Sequence, residues 1–166
     1  MTILGMSLST FTLVHVLISL AGIGTGFIVV YGMLTGKRLD GWTGIFLTTT
    51  VLTSATGFLF PVEHLLPSHI VGTISLVVLA VAILARYAFH LAGAWRLTYV
   101  IGAVIALYLN CFVGVVQAFL KIPALHTLAP TGKEPAFVVA QVFVMAIFIG
   151  LGIVAAKKFR VQPALA

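Results

Sequence analysis

Imidazole, amide and carboxylate groups set in long apolar runs are the side chains here that could do chemistry. His15 lies within the first apolar run and His69 near the start of the third. An imidazole in hydrocarbon can ligate haem iron or another metal, or handle a proton beside a quinone head. It can equally bond across helices to an amide or a hydroxyl, because an unpaired polar group in lipid costs free energy. Asn110 and Gln117 on the fourth run, and Gln141 on the fifth, could line a ligand cavity or bond helix to helix. Glu63, His64 and His69 could hold a divalent ion, although their spacing matches no recognised zinc pattern. His126 and Glu134 read as solvated loop residues, and His90 as an interfacial residue beside Arg86 and Arg96. Cys111 is the only cysteine, so an intrachain disulfide, a CxxC pair and a cysteine metal site are all ruled out.

Several chemistries have no carrier in this chain. It contains no phosphate-cradling GxxxxGK[ST], no HExxH and no GxSxG. Only three acids are present, none deep in an apolar run, which argues against an ion-coupled pump. The net charge of +6 is not a nucleic-acid signature, because the basic residues stand at the ends of apolar runs and not along one face. No nucleic-acid partner is expected.

The elements that must position these groups follow from the charges. Twelve charged residues in 166 amount to 7%, against about 25% in a soluble domain. They leave uncharged stretches at 1–36, 41–62, 64–85, 97–120 and 135–156. About 20 apolar residues suffice to cross the hydrocarbon core. The sequence therefore predicts an all-α integral membrane bundle, one domain over 1–166, with five helices near 8–34, 42–61, 68–86, 97–120 and 135–156. The first run lacks a basic leader and a cleavage site, so it is expected to stay as a helix. Lys37, Arg38, Arg86, Arg96, Lys157, Lys158 and Arg160 fall on one side of such a bundle, and Lys121 and Lys133 on the other. Basic residues favour the cytoplasm, which predicts an outside N-terminus and a cytoplasmic C-terminus. Trp42 and Trp95 then lie at the inner interface, where indole rings anchor.

Helical spacing places Thr12, His15, Ser19, Gly22 and Gly26 on one face of the first helix. Ser19, Gly22 and Gly26 are the close-packing positions, and Gly22 with Gly26 forms a GxxxG pair that admits a neighbouring helix or a second copy of the chain. Leu13, Leu17 and Leu20 point the other way, towards lipid. Combined with the orientation, His15, His69, Gln117 and Gln141 gather at the outer end, Asn110 sits nearer mid-depth, and His90 alone of the five histidines falls inside.

The stretches SATGFLFP (54–61), PSHIVGTISL (67–76) and YLNCFVGVVQAFLKIPALHTLAP (108–130) resemble a family of small bacterial multi-span inner-membrane proteins with no assigned activity. The resemblance implies a multi-pass protein of the bacterial inner membrane and supplies no catalytic residue. A looser likeness links the chain to membrane cytochromes of the b561 and superoxide-oxidase type, four-helix bundles that bind haem b between helix-borne histidines. Only His15 and His69 are placed to act that way here, enough for one haem and not for two.

Two function classes follow. The first is a non-enzymatic membrane component that binds a membrane-protein partner, another copy of itself or a small solute at a polar periplasm-facing mouth. The second is a haem b- or quinone-binding redox protein using His15 and His69, with Asn110, Gln117 and Gln141 lining the site.

Overall fold

Residues 2–61 and 67–160 are described by a computed structural model of the chain. Glu63 and His64 lie outside the described residues, and so does the metal reading that joined them to His69. The chain opens with β1 (Thr2–Ile3) and β2 (Met6–Ser7), paired antiparallel. Helices α1 (Leu8–Leu34), α2 (Asp40–Gly57), α3 (Pro67–Ile83), α4 (Ala94–Lys121), α5 (Pro123–His126) and α6 (Pro135–Lys158) follow, and a π-helical turn (Leu84–Ala88) extends α3.

Local chemistry sets the ends of these helices. Ser7 caps α1 by accepting from the Thr10 N–H at 3.2 Å. Gly36, at φ +70°, closes α1: Lys37 N donates to Gly32 O at 2.8 Å and Gly36 N to Met33 O at 3.3 Å. That is the Schellman pattern, which places glycine at the left-handed residue. Asp40 in the first turn of α2 complements the helix dipole. At the far end of α3 the ladder widens: Phe89 N reaches back five residues to Leu84 O at 2.9 Å. His90, Leu91 and Gly93 then take positive φ, reversing the chain into α4.

Side-chain pairs show that the five long helices alternate in direction. His15 near the start of α1 meets Thr56 near the end of α2, and Gly32 near the end of α1 meets Leu39 just before α2. Ser54 of α2 bonds Ser75 of α3, and Thr43 meets Tyr99 of α4. Arg96 at the start of α4 bonds the carbonyls of Ala156 and Phe159 at the end of α6. One end of the bundle therefore gathers His15, Phe58, Phe60 and His69, and the other gathers Asp40, Arg86, Trp95, Arg96 and the last turn of α6.

The core is built around α4. Phe46, Leu79, Ala82, Ala85, Val100, Ala103, Ala106 and Leu107 have no solvent exposure. Alanines and glycines bring the helices close: a Cβ on Gly102 would stand 3.1 Å from that of Ala82. Close approach matters in a bundle of this composition, because apolar side chains gain little from leaving lipid for one another. The outward faces carry Leu13, Leu17, Leu20, Val139, Phe143 and Ile149, all more than half exposed.

The all-α class follows from these elements. Among the described residues four helices are long and apolar enough to cross a membrane: Leu8–Leu34, Ser68–Ala88, Ala94–Lys121 and Pro135–Lys158. α2 is the different one. Its 18 residues rise roughly 27 Å, just under the ~30 Å core, and six of them are threonine.

Candidate functional site

The polar groups of the bundle form a seam in which α2 is the common partner. Thr49 Oγ1 and Thr56 Oγ1 each donate to their own helix, to Ile45 O at 2.7 Å and to Leu52 O at 2.6 Å. A hydroxyl has one proton, so Thr56 Oγ1 is left as an acceptor. His15 Nδ1 lies 2.8 Å from it, and the proton on that bond belongs to Nδ1. The imidazole thus keeps its lone pair on Nε2, which has no protein partner among the described residues. Phe60 meets the ring edge-on with centroids 5.1 Å apart, and a Cβ on Gly57 would stand 4.0 Å from His15 Cε1.

His69 takes a different position. It is buried and packs against Phe58, with ring centroids 5.5 Å apart. His15 faces Thr56, Gly57 and Phe60, whereas Phe58 is turned to α3, where it also meets Gly72. The end of α2 carries the two imidazoles on different side chains.

The amides also separate. Asn110 is half-buried and donates to Thr50 Oγ1 at 3.4 Å, joining α4 to α2 at mid-seam. Gln141 is buried on α6 and donates to Phe112 O at 3.2 Å, while its Oε1 has no hydrogen-bond partner among the described residues. Gln117 is exposed. Asn110 and Gln141 thus serve different interfaces.

Glycines let the seam close. Gly22 is flanked by Asn110 Nδ2, Thr49 Oγ1 and Thr50 Oγ1, each 3.2–3.3 Å from where a Cβ would sit. Gly26 lies against Leu107 and Phe46. Ser19 returns its hydroxyl to His15 O at 2.7 Å. The glycine face of α1 is therefore occupied within one chain by α2 and α4.

Sequence reasoning missed the arrangement at the opposite end. Arg86, read there as a basic residue of the inner interface, has a side chain just 3% exposed and pairs with Asp40. Its guanidinium stands 4.9 Å from the Tyr99 ring centre and 5.7 Å from that of Tyr87. The legible signal was that Asp40 is the one acid among seven basic residues at that end.

At the histidine end, Glu134 organises the turn before α6. Its carboxylate accepts from Thr131 N at 3.1 Å, Thr131 Oγ1 at 2.8 Å and Lys133 N at 3.0 Å. Desolvation pushes the carboxyl upward, but these donors outweigh it and hold its pKa below the ordinary glutamate value. A depressed pKa means that the bonds are complete above the ordinary value and are lost as pH falls through the lowered one. A pH titration of the Thr131 and Lys133 backbone amide resonances is expected to show a midpoint below the ordinary glutamate value, moving up in Thr131→Ala. A midpoint at or above the ordinary value would show that the turn does not depend on the carboxylate.

Among the described residues no group of three or more histidine, cysteine, aspartate or glutamate side chains is placed to hold a metal ion. Comparison with family models, curated proteins and solved structures finds no match.

Proposed function

We propose that the chain is a multi-pass protein of the bacterial inner membrane that performs no catalysis. In this reading all five long helices cross the bilayer, with the N-terminus periplasmic and the C-terminus cytoplasmic. α2 crosses as a polar strut, with Thr43 and Thr50 buried inside the bundle and Thr48 left on its outer surface. The protein acts as a membrane component that engages a partner protein or a small solute at its periplasmic, histidine-bearing end. The carrying observation is that three pairs of helix-borne polar side chains are used on one another: His15 on Thr56, Asn110 on Thr50 and Ser54 on Ser75. Groups spent on interhelical bonds stabilise a scaffold, each by about 0.6–2 kcal/mol.

A second reading, haem b or quinone binding, is favoured by one observation. Thr56 fixes the proton on His15 Nδ1 and leaves Nε2 with its lone pair. A ligating histidine is oriented in this way, through a hydrogen bond from its other nitrogen. In the same bundle a quinol hydroxyl could donate to that nitrogen.

One preparation tests both readings. Purified protein mixed with haem is expected to show no b-type absorption band, and His15→Ala to lower the thermal midpoint by about 2–4 °C, the loss of roughly one net hydrogen bond. A band that appears with haem and vanishes in His15→Ala would replace the first reading by the second. A carboxyl-terminal reporter that functions only in the cytoplasm is expected to be active. An inactive one would overturn the orientation.

A further inference from the structure

The basic end of the bundle has two halves with different electrostatics. In one, Asp40 pairs with both Arg86 and Arg38, the latter at 3.4 Å. In the other, an open cleft of about 770 Å³ lies between the α3–α4 reversal and the end of α6. Its lining is Leu91, Gly93, Arg96, Ala156, Lys157 and Arg160. Three of these six are cations and none is an acid. Neither Arg96, Lys157 nor Arg160 pairs with a carboxylate among the described residues.

Sidedness alone accounts for basic residues at this end but not for how they are held. Arg96 is fixed in place: its Nη1 donates to Ala156 O at 3.0 Å and also to Phe159 O, satisfying carbonyls that the end of α6 would otherwise leave bare. Only Nη1 is spent. Nε and Nη2 have no protein partner among the described residues, so the fork keeps donors for an oxyanion. Beside the cleft, Phe89 and Trp95 stack with centroids 3.9 Å apart and planes 4° from parallel, both partly exposed. An indole such as that of Trp95 settles at the headgroup level of a bilayer. The volume is that of a small-molecule site, larger than one bare ion needs.

We infer that the cleft lined by Arg96, Lys157 and Arg160 binds the phosphate of an anionic lipid headgroup, with the Phe89–Trp95 stack at the acyl–headgroup boundary. Phosphate is the recognised chemistry, and its position at the membrane surface assigns it to lipid. Arg96 supplies the directional contact, and Lys157 and Arg160 supply charge.

The test uses the full chain in detergent micelles doped with phosphatidylcholine or phosphatidylglycerol, reading thermal midpoint and lipid affinity. Wild type is expected to be stabilised by phosphatidylglycerol over phosphatidylcholine. Lys157→Gln/Arg160→Gln leaves the Arg96 carbonyl contacts in place and is expected to weaken phosphatidylglycerol binding about 10–30-fold. Lys37→Gln/Arg38→Gln, an equal charge loss at the same end, is expected to change it less than about threefold. Equal losses in the two double variants would overturn the site in favour of a diffuse surface field. No phosphatidylglycerol preference in wild type would also overturn it, and protection by millimolar inorganic phosphate matching that of the lipid would overturn the assignment to lipid.

Discussion

Gly26→Leu lowers the thermal midpoint of the detergent-purified protein by about 5–10 °C, while Gly24→Leu two residues away leaves it within about 2 °C. The contrast comes from what each added side chain meets. A Cβ on Gly26 would stand 2.5 Å from Leu107 Cδ1 and 2.9–3.0 Å from two carbons of the Phe46 ring. Phe46 and Leu107 are fully buried, so neither can step aside without moving its own neighbours. Overpacking of this kind costs about 1–3 kcal/mol for small insertions, and leucine adds three more carbons in the same direction. A Cβ on Gly24 meets nothing within 4 Å. Differential scanning fluorimetry of the two variants checks this. Equal shifts would mean that α1 does not approach α2 and α4 through the Gly26 face.

The same face shows how far the sequence could be read. The 3–4 spacing of His15, Ser19, Gly22 and Gly26 marks an interior stripe, because small and polar residues on one line must meet another helix. Spacing does not say whether that helix belongs to the same chain. Contacts with Thr49, Thr50, Phe46 and Leu107 now fill the stripe from within. Helix bounds were legible where apolar runs end at charge or proline: α6 begins at Pro135 and α1 ends beside Gly36. They were less legible at α2, expected over 42–61, whose helix ends at Gly57, because the apolar residues beyond it continue the pattern without continuing the helix. The π-helical turn had no signature at all, since one extra residue in a helical turn leaves hydropathy unchanged. The Thr2–Ser7 hairpin was missed for a related reason: two-residue strands are too short to show alternation, and its turn uses Leu4 and Gly5 at positive φ.

The candidate site was legible in its parts and not in their pairing. His15 and Asn110 stood out in the sequence as polar groups set in an apolar run. Their partners are threonines of α2, which carry ordinary β-branched side chains and gave no sign of which one would face which helix. Hydroxyls that first satisfy their own helix, as Thr49 and Thr56 do, still present an acceptor outward. Thr56 can therefore take a hydrogen bond from α1 while its own proton is held by α2, whereas the buried Thr53 hydroxyl has no partner among the described residues. This is how the least apolar of the long helices comes to bond both α1 and α4.

Asp40→Asn destabilises the bundle by about 2–4 kcal/mol, whereas Arg86→Met costs about 1 kcal/mol, and the double variant falls within about 1 kcal/mol of Arg86→Met alone. The asymmetry follows from unequal burial, with side-chain exposures of 3% for Arg86 and 67% for Asp40. An aspartate left without its partner is solvated where it stands. A guanidinium left without its partner cannot shed its proton and remains buried between Tyr99 and the helices around it. The ring faces of Tyr87 and Tyr99 return part of the loss, about 0.5–2 kcal/mol, and water reaching Asp40 weakens the pair itself. Both effects place the cost at the lower part of the usual range for a broken buried pair, about 3–5 kcal/mol. Methionine at 86 keeps the unbranched stem and fills most of the same space. Once it is there, Asp40 keeps only its exposed pair with Arg38, which contributes little, so replacing it adds mainly the small helix-dipole term of about 0.3–1 kcal/mol. Thermal midpoints of the three variants in one detergent decide the matter. If the double variant fell by the sum of the two singles, Asp40 would be acting on α2 and not on Arg86, and the charge of that residue would have no role in joining α2 to the π-helical turn.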